Sequence, residues 1–186
     1  QRQMCIRDSF QSEWKSTMER QLLAISPKAR LLSVDYGKNP KYYQAAPIKI
    51  TFRYEIPDYA LRGEGEMFFR PMVMNNLYNQ VRSYMWIDTS VENRKYGFKD
   101  GCSRLVELDE TIQLPAGYKL VSAAKDETMQ GVGADFEGSL VQKGNKVLLH
   151  NRLALKKRVY EASDWESFRN AVNAHKAYGE YLVIKK

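Results

Sequence analysis

The sequence has few of the residues on which common enzyme mechanisms depend. Among its 186 residues there are two cysteines, Cys5 and Cys102, and two histidines, His150 and His175. It contains neither a CxxC nor an HExxH motif. The sequence therefore predicts no disulfide framework, no zinc site and no cofactor.

Long apolar runs are also missing. No run approaches the roughly 20 apolar residues that a membrane-spanning helix needs, so we expect no transmembrane segment. Residues 1–9, QRQMCIRDS, lack the apolar core and the small-residue cleavage site of a signal peptide. From these patterns alone, either the protein is cytoplasmic or its true N-terminus lies further upstream.

The composition is that of an ordinary globular protein. Hydrophobic residues make up 44% and charged residues 27% of the chain. The 12 tyrosines favour β structure, because aromatic rings suit a half-buried pleated surface. A formal charge of +7 permits an anionic partner, but the charges are scattered along the chain. The densest basic cluster, residues 156–158, is shorter than a typical nucleic-acid-binding arm.

Two segments have helical periodicity. In residues 10–27 an apolar residue recurs every fourth position, at Phe10, Trp14, Met18 and Leu22. The spacing predicts a second helix over residues 163–178, with Ser163 as its cap and Glu166 completing a capping box. One face of this helix carries Trp165, Phe168, Val172, His175 and Tyr178.

The segment between the helices has the two-residue period of β-strands. Residues 48–56 alternate between apolar and polar side chains, and Gly144-Asn145 predicts a hairpin turn. We also expect the strand at residues 104–114 to pair with residues 118–125 across the turn at residues 115–117. Short strands separated by regular turns predict an all-β protein, an antiparallel β-sandwich with a helix near each end.

The strand after the predicted hairpin separates apolar from basic side chains. Its apolar residues are expected to face the core and its basic residues to face outward. The first set is Val147, Leu149, Leu153, Leu155 and Val159; the second is His150, Arg152, Lys156 and Arg158. This outward row is the best candidate surface for an anionic ligand, such as a glycan, a lipid headgroup or a nucleic acid. We expect no nucleic acid, because aromatic side chains are not interleaved with the row.

Catalytic constellations are not evident. Cys102 is the only credible thiol nucleophile, and it would need a histidine base. His150 falls on the outward face of a strand, whereas His175 falls on the apolar stripe of the last helix, where it is expected to pack with its polar edge hydrogen-bonded. Glu107 and Asp109 share one face of a strand, an arrangement typical of a solvated sheet.

The second half resembles the C-terminal module, a domain of unknown function, of bacterial transglutaminase-like proteins. The likeness covers roughly residues 30–186. It rests on Arg94, on the LP-x-G-aromatic turn Leu114–Tyr118, on Tyr160 with the W-x-x-F-R motif of Trp165, Phe168 and Arg169, and on the closing strand Leu182–Ile184.

The resemblance implies an accessory role. In such proteins this module follows a papain-like core with a Cys-His-Asp triad, and none of that triad maps onto this chain. It implies a non-catalytic module that packs on a catalytic domain in cis, within a protein exported to the bacterial periplasm or cell envelope. Residues 10–27 would connect the core to an accessory sandwich at residues 28–186. Residues 1–9 would be a non-native leader, resembling translated adapter read-through, or else a disordered natural terminus.

Overall fold

The computed structural model describes residues 11–37, 49–72, 83–123 and 125–186. The chain divides into two compact units, Gln1–Tyr59 and Ala60–Lys186, a division that the sequence patterns do not indicate. The predicted leader at residues 1–9 lies outside the described residues, as do Phe10 and the side chain of Trp14.

The first unit places a helix on a two-stranded ribbon. Helix α1 spans Gln11–Leu23, and strands β1 (Arg30–Asp35) and β2 (Thr51–Glu55) pair antiparallel. Met18 and Leu22 are buried where α1 packs near β1, so these two positions of the predicted apolar stripe are confirmed. The strand alternation is confirmed as well, because every second residue of β2 is half-buried.

The second unit contains the remaining strands and the second helix. The strands are β3 Leu61–Arg62, β4 Glu66–Phe69, β5 Phe98–Lys99, β6 Arg104–Gln113, β7 Lys119–Leu120, β8 Lys125–Met129, β9 Ala134–Lys143, β10 Lys146–Leu155, β11 Val159–Tyr160 and β12 Leu182–Lys185. Helix α2 spans Trp165–Ala177, and short 3₁₀ helices span Ser83–Trp86 and Ala162–Asp164. Helix α2 packs against β9 and β10.

Every strand pair in the described residues is antiparallel. One sheet has the order β6-β10-β9-β8, a second has the order β3-β4-β12-β7, and β5 pairs with β11. The predicted fold class is confirmed: the protein is an all-β, sandwich-like fold with a helix near each end.

A long hairpin is the centre of the first sheet. Strands β9 and β10 are joined by Gly144-Asn145, with Lys143 opposite Lys146 and Gly144 at φ +61°, as the turn sequence predicts. The predicted inward side chains are buried as far as Leu155, but Val159 is 60% exposed. That part of the prediction is wrong, because β10 ends at Leu155 and β11 starts a separate pairing.

The prediction of which strand pairs with β6 is also wrong. Strand β6 pairs with β10 over ten positions, whereas β7 pairs with β12. At the intervening turn Gly117 adopts φ +82° and the Tyr118 N–H bonds the Pro115 carbonyl at 3.2 Å. The turn is therefore correctly predicted, but it leads the chain to another sheet.

The N-terminus of α2 differs from the prediction. Asp164, not Ser163, occupies the N-cap position, and its side chain makes no capping hydrogen bond to α2. Its carboxylate instead takes part in the capping box of the preceding 3₁₀ helix, whose N-cap residue is Glu161. The backbone N–H of Glu161 donates to Asp164 Oδ2 at 2.9 Å, and Lys157 Nζ donates to Oδ1 at 2.7 Å. The Lys157 ammonium, followed by the Glu161 N–H, holds the pKa of Asp164 below its usual value.

We expect Asp164→Asn to lower the free energy of unfolding at neutral pH. A carboxylate whose pKa is lowered by folding stabilises the protein above the pKa of the unfolded state, and this contribution disappears as pH falls through the folded-state pKa. The difference between wild type and variant should therefore shrink below about pH 4. Urea unfolding at a series of pH values measures it. The exposed Asp126→Asn should differ little from wild type at any pH, and a pH-independent effect of Asp164→Asn would contradict the assignment.

Candidate binding cleft

The first half of the predicted basic row lies on the outward face of β10. His150 stands opposite Asp109 and Arg152 opposite Glu107 on β6. His150 Nδ1 is 2.7 Å from Asp109 Oδ1, and Arg152 Nε donates to Glu107 Oε1 at 3.1 Å. The prediction that Glu107 and Asp109 share an exposed strand face is correct, and this face is where the two basic side chains find their partners.

The second half of the row lies beyond the end of β10. Lys156 Nζ is 2.7 Å from Asp135 Oδ1 and donates to the Gly131 carbonyl at 2.8 Å. The hydrogen bond from Lys156 also lowers the pKa of Asp135. Arg158 is exposed. Three of the four predicted residues thus each have a carboxylate beside them, and their use by an anionic ligand stays a prediction.

The candidate thiol and the two histidines do not form a reactive group. Cys102 is exposed. His175 is fully buried, with Nδ1 2.5 Å from Asn151 Oδ1 and Nε2 3.2 Å from the Tyr84 hydroxyl oxygen, so its predicted packing role is confirmed. Within the described ranges, Cys102 makes no hydrogen bond to either histidine, and no cluster of histidine, cysteine and carboxylate side chains could hold a metal.

A polar cleft lies where α2 begins, and sequence reasoning did not identify it. Its volume is about 450 Å³. The loop before β5, the 3₁₀ helix Ala162–Asp164 and the first turns of α2 supply its lining: Glu92, Asn93, Arg94, Ala162, Ser163, Trp165, Glu166 and Arg169. We call this the Arg94 cleft.

Four aromatic rings pack beside the Arg94 cleft. Pairing of β5 with β11 places Phe98 opposite Tyr160, and their rings are nearly parallel with centroids 4.7 Å apart. Helix α2 adds Trp165 and Phe168, which meet Phe98 edge-on at 5.5 and 4.9 Å. Such pairs contribute about 0.5–1.5 kcal/mol each beyond burial of area, so this aromatic cluster fixes the base of α2 against the two short strands.

Two hydrogen bonds attach the loop before β5 to α2. The Trp165 indole Nε1 donates to the Val91 carbonyl at 2.9 Å, and Arg169 Nε donates to the Thr89 carbonyl at 3.0 Å. Both donors are side chains of the helix and both acceptors are backbone groups of the loop. The loop wall of the Arg94 cleft is therefore held in place by residues that also line its helical wall.

Arg94 is held in the cleft by aromatic faces. Its guanidinium carbon lies 4.3 Å from the ring centroid of Trp165 and 4.8 Å from that of Phe98. Its Nε is shielded from solvent and has no hydrogen-bond partner. A cation over two ring faces is electrostatically favourable, but a ring face does not replace the hydrogen bond that the Nε–H lacks.

The sequence contained one signal for this cleft. Arg94, Tyr160, Trp165, Phe168 and Arg169 are among the residues that carry the family resemblance, and the structure brings all five to the cleft or to the aromatic cluster beside it. Arg94 is far from the other four residues in the sequence, and no turn or strand explains its presence in the motif. That was the one indication that the five share a location in the fold.

No helix in the described ranges is long and apolar enough to cross a membrane. Curated proteins include no match to this chain. Among solved structures, the chain is similar to a "putative protease" from Parabacteroides distasonis ATCC 8503, with a TM-score of 0.52 and 13% sequence identity. The likeness covers 66% of this chain but 24% of that one, so the chain matches about a quarter of the Parabacteroides protein.

A family comparison covers most of the second unit. The sequence profile of DUF3858, described as a domain of unknown function with a solved structure, matches residues 65–183. The match includes the whole β6-β10-β9-β8 sheet, helix α2 and all the residues of the Arg94 cleft. The chain therefore belongs to the DUF3858 family.

Proposed function

We propose that this chain is the non-catalytic accessory part of a larger, exported protease-like protein with a transglutaminase-like core. Its role would be to pack on that core in cis and support it. The observation that carries the proposal is the uneven coverage: a fold likeness over 66% of this chain accounts for 24% of the Parabacteroides protein. A module of this fold can thus form a minor part of a much longer chain.

The interior of the second unit is consistent with a supporting role. Its core is built from the long hairpin, helix α2 and the aromatic cluster, and the buried His175 is engaged by Asn151 and Tyr84. A densely packed core transmits load with little deformation. A rigid body of this kind suits a domain that holds another domain in position.

Direct assay of the chain tests the non-catalytic part of the proposal. We expect no peptide hydrolysis and no acyl transfer to an amine above a buffer blank, from wild type or from Cys102→Ser. Casein hydrolysis and incorporation of a fluorescent amine into casein measure the two reactions. Activity that Cys102→Ser abolishes would overturn the proposal, because the only described thiol would then be a nucleophile.

The gene provides the second test. We expect the genomic DNA upstream of the Phe10 codon to encode, in frame, a papain-like core with its cysteine and histidine. Expressing that core with and without this chain should show a higher melting temperature for the longer protein. A promoter and start codon beside Met4 would contradict the proposal, as would a core whose stability does not depend on the chain.

A further inference from the structure

Arg94 lacks the partners that an arginine beside a core normally has. Its Nε is shielded from water yet forms no hydrogen bond, and no carboxylate in the described ranges forms an ion pair with it. Leaving a shielded donor unbonded is unfavourable, and more so for a charged group. By contrast, Arg152 and Arg104 each form an ion pair with a carboxylate.

The stacking geometry prepares Arg94 to accept a ligand. The guanidinium group lies over the ring faces of Trp165 and Phe98, and these contacts do not occupy its N–H groups as hydrogen-bond donors. A planar guanidinium fixed in this way can offer two parallel N–H groups to the two oxygens of a carboxylate. Because the rings already restrict its motion, less conformational entropy is lost on binding.

The rest of the lining narrows the class of ligand. Arg169, oriented by its bond to the Thr89 carbonyl, adds a second guanidinium group, and the Ser163 hydroxyl can donate or accept. Glu92 and Glu166 line the same cleft. The two glutamate carboxylates would repel a compact, doubly charged phosphate. A peptide offers a carboxylate to the arginines and N–H groups to the glutamates.

We propose that the Arg94 cleft binds a carboxylate carried by a peptide, with Arg94 as its main ligand-binding residue and Arg169 as the second cation. The carboxylate is either a chain terminus or an aspartate or glutamate side chain. The cleft volume of about 450 Å³ accommodates a few residues around such a group. This binding activity is independent of whether the chain supports a catalytic core.

Titration of the ¹⁵N-labelled chain with short peptides tests the proposal. The probes are acetyl-Gly-Gly-Ala with a free C-terminus, the same peptide as its C-terminal amide, acetyl-Gly-Asp-Gly amide, and inorganic phosphate. We expect at least one carboxylate peptide to shift the Arg94 Nε–H and Trp165 indole resonances, and the neutral amide not to do so. The terminal and aspartyl peptides identify which carboxylate is preferred.

Variants then assign the binding to the cleft. Arg94→Gln should weaken binding about tenfold or more, because a charge-assisted hydrogen bond is lost. Arg94→Lys keeps the charge and should weaken binding too, since a lysine lacks the planar fork. If Arg94→Gln fails to fold, Arg169→Gln takes its place. Arg158→Gln is the matched control, because Arg158 is exposed and outside the cleft.

Three results would overturn the proposal. The first is equal binding of the carboxylate and amide peptides, including no binding of either. The second is unchanged affinity in the Arg94 variants, or an equal loss in Arg158→Gln, which would move the site to the basic row. The third is tighter binding of phosphate than of either peptide.

Discussion

Phe168→Ala should destabilise the second unit by about 3–5 kcal/mol, as is usual when a fully buried phenylalanine is truncated. Phe168 is completely buried, and its ring meets those of Phe98, Tyr160 and Trp165 at 4.9, 5.0 and 5.8 Å. The substitution removes buried area and three ring contacts at once. The free energy of unfolding of a domain is only about 5–15 kcal/mol, so we expect the variant to retain little stability at 25 °C. Urea unfolding followed by circular dichroism measures the change.

Asn170→Ala is the matched control for this prediction. Asn170 lies on the exposed side of the same helix, and alanine is at least as good a helix former as asparagine. Its free energy of unfolding should stay within about 0.5 kcal/mol of wild type. Equal effects of the two substitutions would show that the aromatic cluster does not stabilise this unit as described.

Gly138→Ala should destabilise the same unit by about 1–3 kcal/mol through overpacking. Gly138 lies in the middle of β9, opposite Asn151 on β10. A Cβ atom there would stand 2.6 Å from Phe136 Cζ and 2.7 Å from Tyr178 Cζ. Both rings are buried, at 1% and 2% exposure, so neither can move aside without disturbing its neighbours.

The tyrosine provides a second readout for this substitution. Burial raises the pKa of Tyr178 to about 12. If the new methyl group displaces the ring towards solvent, the pKa should fall towards the ordinary value, which ¹³C NMR of the Tyr178 Cζ can follow. Gly63→Ala is the control, because the atom nearest to an added Cβ there would be Phe68 Cε2 at 3.6 Å, an ordinary packing distance. A similar loss of stability in both variants would contradict the overpacking explanation.

The sequence predicted the elements that depend on near neighbours in the chain. The apolar face of α2, with Trp165 and Phe168, follows from the helical period, and the hairpin at Gly144 follows from its turn residues. These features need only local geometry. The capping box was misplaced although it is local, because a 3₁₀ helix precedes α2 and the box lies at the start of that turn, between Glu161 and Asp164.

The predictions that were wrong concern competition between distant segments. Nothing near β7 shows that β12, rather than β6, will be its partner. That choice depends on where the last strand of the chain comes to lie, because β6 keeps an edge that no strand in the described sheet pairs with. Val159 is exposed for a related reason, since the alternation of β10 stops at Leu155 and is not continued in the short pairing of β11 with β5.

By itself, the sequence determined the helical and strand periods of the main elements, the all-β class and the scarcity of residues for nucleophilic chemistry. Only the tertiary structure decided which charges are neutralised. Arg152 was predicted as part of a binding surface, but strand register gives it Glu107 as a partner. Arg94 was only a motif residue, yet folding leaves it stacked on two rings with its Nε unbonded. The physical reason is that periodicity reports which way a side chain points along its own element, whereas electrostatic pairing depends on what another element brings opposite it.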